Sequence, residues 1–229
     1  MKNKIRVPMT KEKIIEASWE LLKNNGIEDF SMRKLADQLN IQAASLYWHF
    51  KSKQSIFQAL ANEVAKEILL SGTQEGDWKK QLYNFAINIR NNLKKFPCSA
   101  QLLMMTLPSE SEYLSLINTL LKIIDQNDLS DNDKFSSVMC LLNYVIYFEI
   151  DQYERDKVNM TMKNETATGA RELFVLSIQN LPNDDSNVLQ RMYSNSVFGE
   201  LVSENMFEFG LNLLLMGIEQ INKNIVKLL

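Results

Sequence analysis

The stretch SMRKLADQLNIQAASLYWHFKSK, Ser31 to Lys53, decides the fold of this chain. Its first half carries apolar residues at three- and four-residue steps, which predicts one face of a short helix: Met32, Leu35, Ala36 and Leu39. Serine is a residue type that caps helix N-termini, and Ser31 directly precedes this face. We therefore expect a short helix that begins after Ser31.

A tight turn at Asn40 and Ile41 separates this helix from a second short helix. In the second helix we expect four residues to pack inward, namely Ala44, Leu46, Tyr47 and Phe50. Four others should point elsewhere, namely Gln42, Ala43, Ser45 and Trp48. Two short helices joined in this way are typical of a helix-turn-helix, whose second helix can enter the major groove of DNA.

The same stretch resembles the DNA-binding head of the TetR family of repressors. The resemblance rests on Ser45-Leu46-Tyr47-Trp48-His49-Phe50 with Lys51-Ser52-Lys53, preceded by Ser31-Met32-Arg33-Lys34-Leu35-Ala36. The remainder is similar in outline to the tetracycline-repressor branch, at Asp77-Trp78, Thr106-Leu107-Pro108, Asp151-Gln152, Phe209-Gly210-Leu211 and Gly217-Ile218-Glu219.

This resemblance implies that one group of head residues holds the DNA backbone. Tyr47, His49 and Lys53 would contact phosphates, and the Ser31 hydroxyl would assist at a helix N-terminus. Such contacts fix the register of the protein on DNA and carry no sequence information. The alternative for His49 is a purely structural role.

A second group would read bases. By resemblance Arg33 reaches a base, and guanine would be its most specific partner; the alternative is a plain surface residue. Gln42, Ala43 and Ser45 would face the groove, where Gln42 can pair with adenine and the Ala43 methyl suits a thymine methyl. Trp48 either packs against sugar and a thymine methyl or covers the core of the head. Gln42, Ala43 and Ala44 replace a Glu-Gln-Pro triplet of the tetracycline repressor, so the operator should differ.

Composition favours an all-α protein. Of 229 residues 45% are hydrophobic, with only seven Gly and four Pro, which indicates packed helices. The net charge of −3 is unevenly divided: residues 1–53 hold ten Lys/Arg and six Asp/Glu (+4), and the other 176 hold fifteen and twenty-two (−7). Only the first part suits a polyanion such as DNA.

We expect a helix-turn-helix DNA-binding domain over residues 1–53, a connecting helix over 54–70 and an effector-binding and dimerisation body over 71–229. The predicted helix caps are Thr10, Ser52, Asp77 and Ser203, with capping boxes at Ser109/Glu112 and Ser130/Asp133. Residues 71–76 are predicted as a linker and 154–168 as a mobile loop, because the latter are polar without an apolar stripe. The basic residues within 1–9 form either a frayed terminus or a secondary phosphate contact.

The helix predicted from Glu204 to about Val226 suggests a homodimer. Apolar residues cover most of its circumference: Met206, Phe207, Phe209, Leu211, Leu213, Leu214, Leu215, Met216 and Ile218. A helix that is apolar all round is buried on all sides, either in a large core or against a second subunit. The two-fold symmetry of helix-turn-helix operators favours the second subunit. The resemblance implies a four-helix bundle formed by this helix and the one that starts near Asp131.

The resemblance also implies an effector pocket in the body. Tetracycline repressors hold a drug–magnesium chelate through histidine and acidic ligands, but here the aligned positions are Leu103, Tyr144 and Ile150, and the one histidine lies in the head. We therefore expect no metal and no other cofactor. The predicted pocket suits a mostly apolar or aromatic effector and is lined by Phe85, Ile89, Leu103, Met104, Thr106, Thr119, Tyr144 and Tyr147. The alternative is that part of this set is core.

Other classes of function have little support. A single histidine, no Gly-rich phosphate loop and no nucleophile elbow leave no arrangement for catalysis, so we do not expect an enzyme. No apolar signal segment or membrane span is evident, which favours a cytoplasmic protein with no membrane partner. The remaining alternative is a helical ligand-binding or interaction protein without a specific operator, and the basic head argues against it.

Overall fold

The structure, a computed structural model, describes residues 8–72, 75–166, 168–182, 187–194 and 204–226. Over these ranges the chain forms eleven helices and no strand, which confirms the all-α fold. The helices are α1 (Lys11–Asn25), α2 (Met32–Gln38), α3 (Ala43–His49), α4 (Lys53–Ser71), α5 (Trp78–Leu93), α6 (Ser99–Met105), α7 (Ser111–Ile124), α8 (Asp131–Thr166), α9 (Ala170–Gln179), α10 (Val188–Ser194) and α11 (Glu204–Val226). The N-terminal residues 1–7, linker residues 73–74 and the predicted cap Ser203 lie outside the described residues.

Side-chain caps explain where several helices begin. Backbone amides of the first turns donate to the side chains of Thr10 (3.4 Å), Ser31 (3.2 Å), Ser52 (3.1 Å), Asp77 (2.8 Å) and Ser130 (3.2 Å). Each cap satisfies an amide that has no partner within its own helix. These predicted caps are confirmed. In the box predicted for Ser130 and Asp133 the two side chains bond to each other, at 2.6 Å.

The N-terminus of α7 is capped from another helix. The box predicted for Ser109 and Glu112 is wrong, because the amides of Glu112 and Tyr113 donate to Asn62 Oδ1 in α4, at 2.9 and 3.2 Å. Ser109 Oγ accepts a hydrogen bond from Gln58 Nε2 of α4, at 3.1 Å. The connecting helix α4 is thereby tied to the body.

Helix α8 is longer than the sequence pattern predicts. It has 36 residues and reaches Thr166, so the predicted loop over 154–168 is wrong. Its last turns carry no apolar stripe because they are mostly exposed. Three exposed ion pairs lie along this part: Arg155–Asp151 (2.7 Å), Lys157–Glu28 (3.5 Å) and Arg171–Asp156 (3.5 Å).

Helix α11 buries only one of its two apolar faces. Its inner face packs against α5 and α8 with Phe207, Leu211, Leu215 and Ile218, all buried. Near its far end Glu219 accepts hydrogen bonds from Lys79 and Lys223, each at 2.7 Å. The outer face exposes more than half of each of four apolar side chains, Met206, Phe209, Leu213 and Met216. Helix α11 is therefore not the centre of a large core within one chain.

Candidate functional site

The turn between α2 and α3 has the geometry of a helix-turn-helix. Asn40 adopts a left-handed backbone conformation, with φ of 53°, which Asn tolerates better than most residues. The Ile41 amide then donates to the Ala36 carbonyl at 3.0 Å and closes the end of α2. The chain thus reverses within a few residues, and α3 begins after Gln42.

The buried face of α3 differs from the prediction at two positions. Leu46 and Phe50 are buried as expected, but Ala44 and Tyr47 are exposed, so their predicted inward packing is wrong. Ala43 lies three residues before Leu46 and is partly buried against the core of the head. The Ala44 methyl group is therefore also on the outer surface, next to the partly exposed Ala43.

The remaining outward residues keep the exposure expected of a recognition surface. Trp48 is 83% exposed and Tyr47 45%, so Trp48 does not cover the core of the head. Gln42 is exposed and makes no capping bond with its side chain. Arg33, in the first turn of α2, is exposed, and Ser45 is partly exposed. Helices α2 and α3, which carry these side chains, pack against each other.

The residues expected to contact phosphates lie in different environments. Ser31 caps α2 with its hydroxyl oxygen. Lys53 Nζ donates to the Ile27 carbonyl at 3.4 Å and lies 5.0 Å from the centre of the Phe57 ring. His49 lines a cleft of about 390 Å³ between the head and α4. Lys53 would have to leave Ile27 to reach a phosphate.

The eight predicted effector-binding residues occupy three kinds of environment. Three apolar side chains are buried: Phe85, Ile89 and Leu103. Three hydroxyl groups donate to backbone carbonyls: Thr106 to Leu102 (2.7 Å), Thr119 to Ser115 (2.8 Å) and Tyr144 to Phe207 (2.9 Å). Met104 and Tyr147 are half exposed. Over the described residues, a cleft of about 520 Å³ between α5, α6 and α8 includes none of the eight.

A buried arginine that the sequence reasoning missed lies in the same region. Arg90 of α5 is 2% exposed, its Nε donates to Glu149 Oε1 at 2.6 Å, and its Nη1 lies 2.6 Å from Glu204 Oε1. The guanidinium group lies over the rings of Phe207 and Phe148, 4.2 and 5.2 Å from their centres. Burial acts to lower the pKa of Arg90, but the contacts with Glu149 and Glu204 outweigh it and leave this pKa raised.

Two features of the described part of the chain bear on cofactors and membranes. No group of three or more His, Cys, Asp or Glu side chains that could hold a metal ion occurs there. Among the described helices, none combines the length and the apolar character that crossing a bilayer requires.

The fold and the exposed face of α3 define a DNA-binding protein of the helix-turn-helix class, with a helical regulatory body. Residues 14–60 match the model for bacterial regulatory proteins of the tetR family, and residues 71–221 match that for the tetracyclin repressor-like C-terminal domain. The chain belongs to the TetR family and is a ligand-responsive DNA-binding transcriptional regulator.

Individual relatives agree with this assignment. The tetracycline repressor protein class D of Escherichia coli is 30% identical over 148 residues, which are 64% of this chain and 67% of the relative. The structure of TetR from Acinetobacter baumannii AYE is similar with a TM-score of 0.67 at 22% identity, and covers 94% of this chain and 99% of its own. The TetR family protein ActR of Streptomyces coelicolor, in complex with actinorhodin, has a TM-score of 0.75 at 18% identity, with 93% and 98% covered. These two structures support the fold.

Proposed function

We propose that this protein is a homodimeric repressor that binds a palindromic operator through two helix-turn-helix heads and is released by a mostly apolar small molecule. The observation that carries the proposal is the exposure of Tyr47 and Trp48 on α3, together with an exposed Arg33 on α2, which packs against α3. Aromatic side chains exposed this way on a short helix gain little from folding alone, whereas a DNA groove would cover them.

The proposed DNA contacts fall into two sets. Ser31, Tyr47, His49 and Lys53 hold phosphates and set the register. Base edges are read by Arg33, Gln42, Ala43, Ser45 and Trp48. The exposed Ala44 methyl could contact a thymine methyl as the Ala43 methyl would. We propose the same division of the chain as its domains: residues 1–53 bind DNA, 54–70 connect, and 71–229 sense the effector and dimerise.

The outer face of α11 supports the homodimer. Met206, Phe209, Leu213 and Met216 lie along one side of this helix, and each is more than half exposed in a single chain. A second copy that packs on this face through α8 and α11 would bury it and place two heads on one operator. Half-sites of a palindrome require this two-fold arrangement.

The effector proposed for the body is apolar or aromatic. Phe85, Ile89 and Leu103 are buried in the core, so an effector would reach their apolar surface, and the hydroxyl groups of Tyr144 and Thr106, by displacing the contacts that they make now. Thr119, Met104 and Tyr147 would border the same region. We expect no metal in this site, no catalytic activity, and function in the cytoplasm.

Release of the dimer from DNA follows if the effector binds one of two conformations of the dimer more tightly than the other. A dimer spans two half-sites only while its heads keep the right separation, which the tilt of α4 controls. An effector that binds better to a different tilt lowers the affinity for DNA by its differential affinity for the two states.

The test begins with selection of binding sites from random DNA by the purified protein. We expect a palindrome, and Arg33→Ala should weaken binding to it by about 1–3 kcal/mol in fluorescence anisotropy. Lys66→Ala is the matched control, because Lys66 is an exposed cation on α4 away from the α2–α3 surface. Selection of no common sequence, or equal losses in the two variants, would refute the proposed DNA-binding surface.

A further inference from the structure

A cleft of about 520 Å³ lies where the body meets the head, between the end of α5, the start of α6 and the middle of α8. Its size is within the range of small-molecule sites. It is lined by Leu93, Lys94, Phe96, Pro97, Cys98, Ser99, Ala100 and Gln101 on one side and by Glu149, Gln152, Tyr153 and Asp156 of α8 on the other. None of the eight predicted effector-binding residues lines it.

One polar atom in this lining lacks a partner. Gln152 Oε1 is buried and accepts no hydrogen bond from any described residue. A buried acceptor without a donor costs about 1–3 kcal/mol. A molecule that brings an N–H or O–H group to Gln152 would recover part of this cost, which is a reason for the cleft to be occupied.

The charges around the cleft favour a neutral occupant. The Glu149 carboxylate accepts a hydrogen bond from Arg90 at 2.6 Å, and Asp156 lies 3.5 Å from Arg171. Arg90, with help from Lys94, lowers the pKa of Glu204, so Lys94 also faces an acidic group. The carboxylates of the lining thus already have cationic neighbours, and a charged ligand would have to compete with them.

Both walls of the cleft touch the head. On the α6 side, the Phe96 ring packs against Trp19 of α1 with ring centres 5.1 Å apart. On the α8 side, Lys157, one residue after Asp156, pairs with Glu28 in the loop between α1 and α2 at 3.5 Å. A molecule that spreads the two walls would move these contacts relative to each other and so bias the orientation of the head.

We propose that this cleft is a second small-molecule site, which binds neutral aromatic molecules carrying a hydroxyl or amide donor, and that its occupant acts on the head through Phe96 and Lys157. Gln152 accepts the donor, and Phe96 and Tyr153 provide ring surface. The regulatory consequence rests on the proposed function, whereas binding to the cleft does not.

The experiment uses the full-length protein without DNA, with 2-naphthol as the probe and 2-methoxynaphthalene, which lacks the donor, as its matched control. Isothermal titration calorimetry should detect binding of 2-naphthol to the wild type. The affinity of the wild type for 2-methoxynaphthalene, and of Gln152→Leu for 2-naphthol, should each be roughly fivefold lower, which is the equivalent of one neutral hydrogen bond. Gln126→Leu, the same substitution at an exposed glutamine between α7 and α8, should leave the affinity unchanged. No binding, equal binding of both compounds, or equal losses in Gln126→Leu and Gln152→Leu would overturn the site.

Two further readouts locate the probe and test the coupling. Cys98 lines the cleft and Cys140 is exposed on α8, so saturating 2-naphthol should slow alkylation of Cys98 by iodoacetamide and leave Cys140 unaffected. Hydrogen exchange of the α1 amides around Trp19 should change on saturation in the wild type and not in Gln152→Leu. Unprotected Cys98 overturns the location, and unchanged exchange in α1 overturns the coupling. Because the assay contains no DNA, its result is independent of the operator selection above.

Discussion

Replacement of Arg90 by leucine tests whether one buried cation holds α5, α8 and α11 together. Arg90 is 2% exposed, and its partner Glu149 has a side chain only 10% exposed. The substitution keeps most of the side-chain volume but leaves the Glu149 carboxylate buried without its cation. It also removes the guanidinium group from the faces of Phe148 and Phe207.

The size of the effect follows from burial. Removal of one partner of a buried ion pair costs about 3–5 kcal/mol, because the other charge stays behind without compensation. Glu204, the second carboxylate on Arg90, is 63% exposed, so Glu204→Gln should cost less than about 1 kcal/mol. The double variant Arg90→Leu/Glu149→Leu removes both buried charges and should recover much of the loss.

The assay is urea-induced unfolding followed by far-ultraviolet circular dichroism. All variants are compared at one protein concentration, because dimerisation would couple stability to concentration. We expect the order wild type, Glu204→Gln, double variant, Arg90→Leu, from most to least stable. A loss below about 1 kcal/mol for Arg90→Leu, or a double variant less stable than Arg90→Leu, would refute the reasoning.

Three further outcomes are expected. Asn62→Ala removes the acceptor for two α7 amides and should lower the free energy of unfolding by about 1–2 kcal/mol; an unchanged urea midpoint would contradict this cap. Gly210→Ala places a Cβ 2.7 Å from Tyr144 Cζ and should destabilise by about 1–3 kcal/mol, with only partial relief in Tyr144→Phe, in the same assay. Two lysines lower the pKa of Glu219 to about 2 from 4.5, so its contribution is present above pH 4.5 and lost as pH falls through about 2. The midpoint temperature of thermal unfolding should therefore fall more steeply between pH 4.5 and about 2 in the wild type than in Glu219→Gln.

The sequence was most informative where a structural feature depends on neighbouring residues alone. The caps at Thr10, Ser31, Ser52 and Asp77 needed only a short polar side chain within reach of the next turn, and all four are found. The capping box predicted for α7 is wrong because Asn62, fifty residues away in the sequence, supplies the acceptor. Local spacing carries no signal for such a contact.

The sequence predicts too short an α8 because a periodic pattern of apolar residues indicates which side of a helix is buried, not whether a helix forms. Beyond Tyr153 the helix is largely exposed, so it has no apolar stripe to recognise. The Arg155–Asp151 pair, one turn apart, was visible in the sequence, but the Lys157–Glu28 pair needs the folded chain. A polar segment with charge pairs at i,i+4 spacing fits a helix as well as a loop.

The body is harder to read than the head because core and pocket residues share the same chemistry. Phe85 and Ile89 would look alike in either role, so the predicted effector residues stay a prediction. Arg90 was detectable in principle, since Ala86 and Leu93 place it on the inward side of α5 at four- and three-residue steps. A lone charge on an apolar stripe is a better marker of a special site than another apolar residue.

Because α8 is long, a small tilt at one point of the helix produces a large displacement further along it. From Tyr144, where it meets α11, to Lys157, where it meets the head, the axis runs about 20 Å at the usual helical rise. A tilt of about 5° pivoted at the first point displaces the second by nearly 2 Å over that span, enough to open the Glu28 contact from 3.5 Å beyond ion-pair reach. The polar turns that the sequence predicts as a loop would thus carry a small rotation of the body to Glu28, in the loop between α1 and α2.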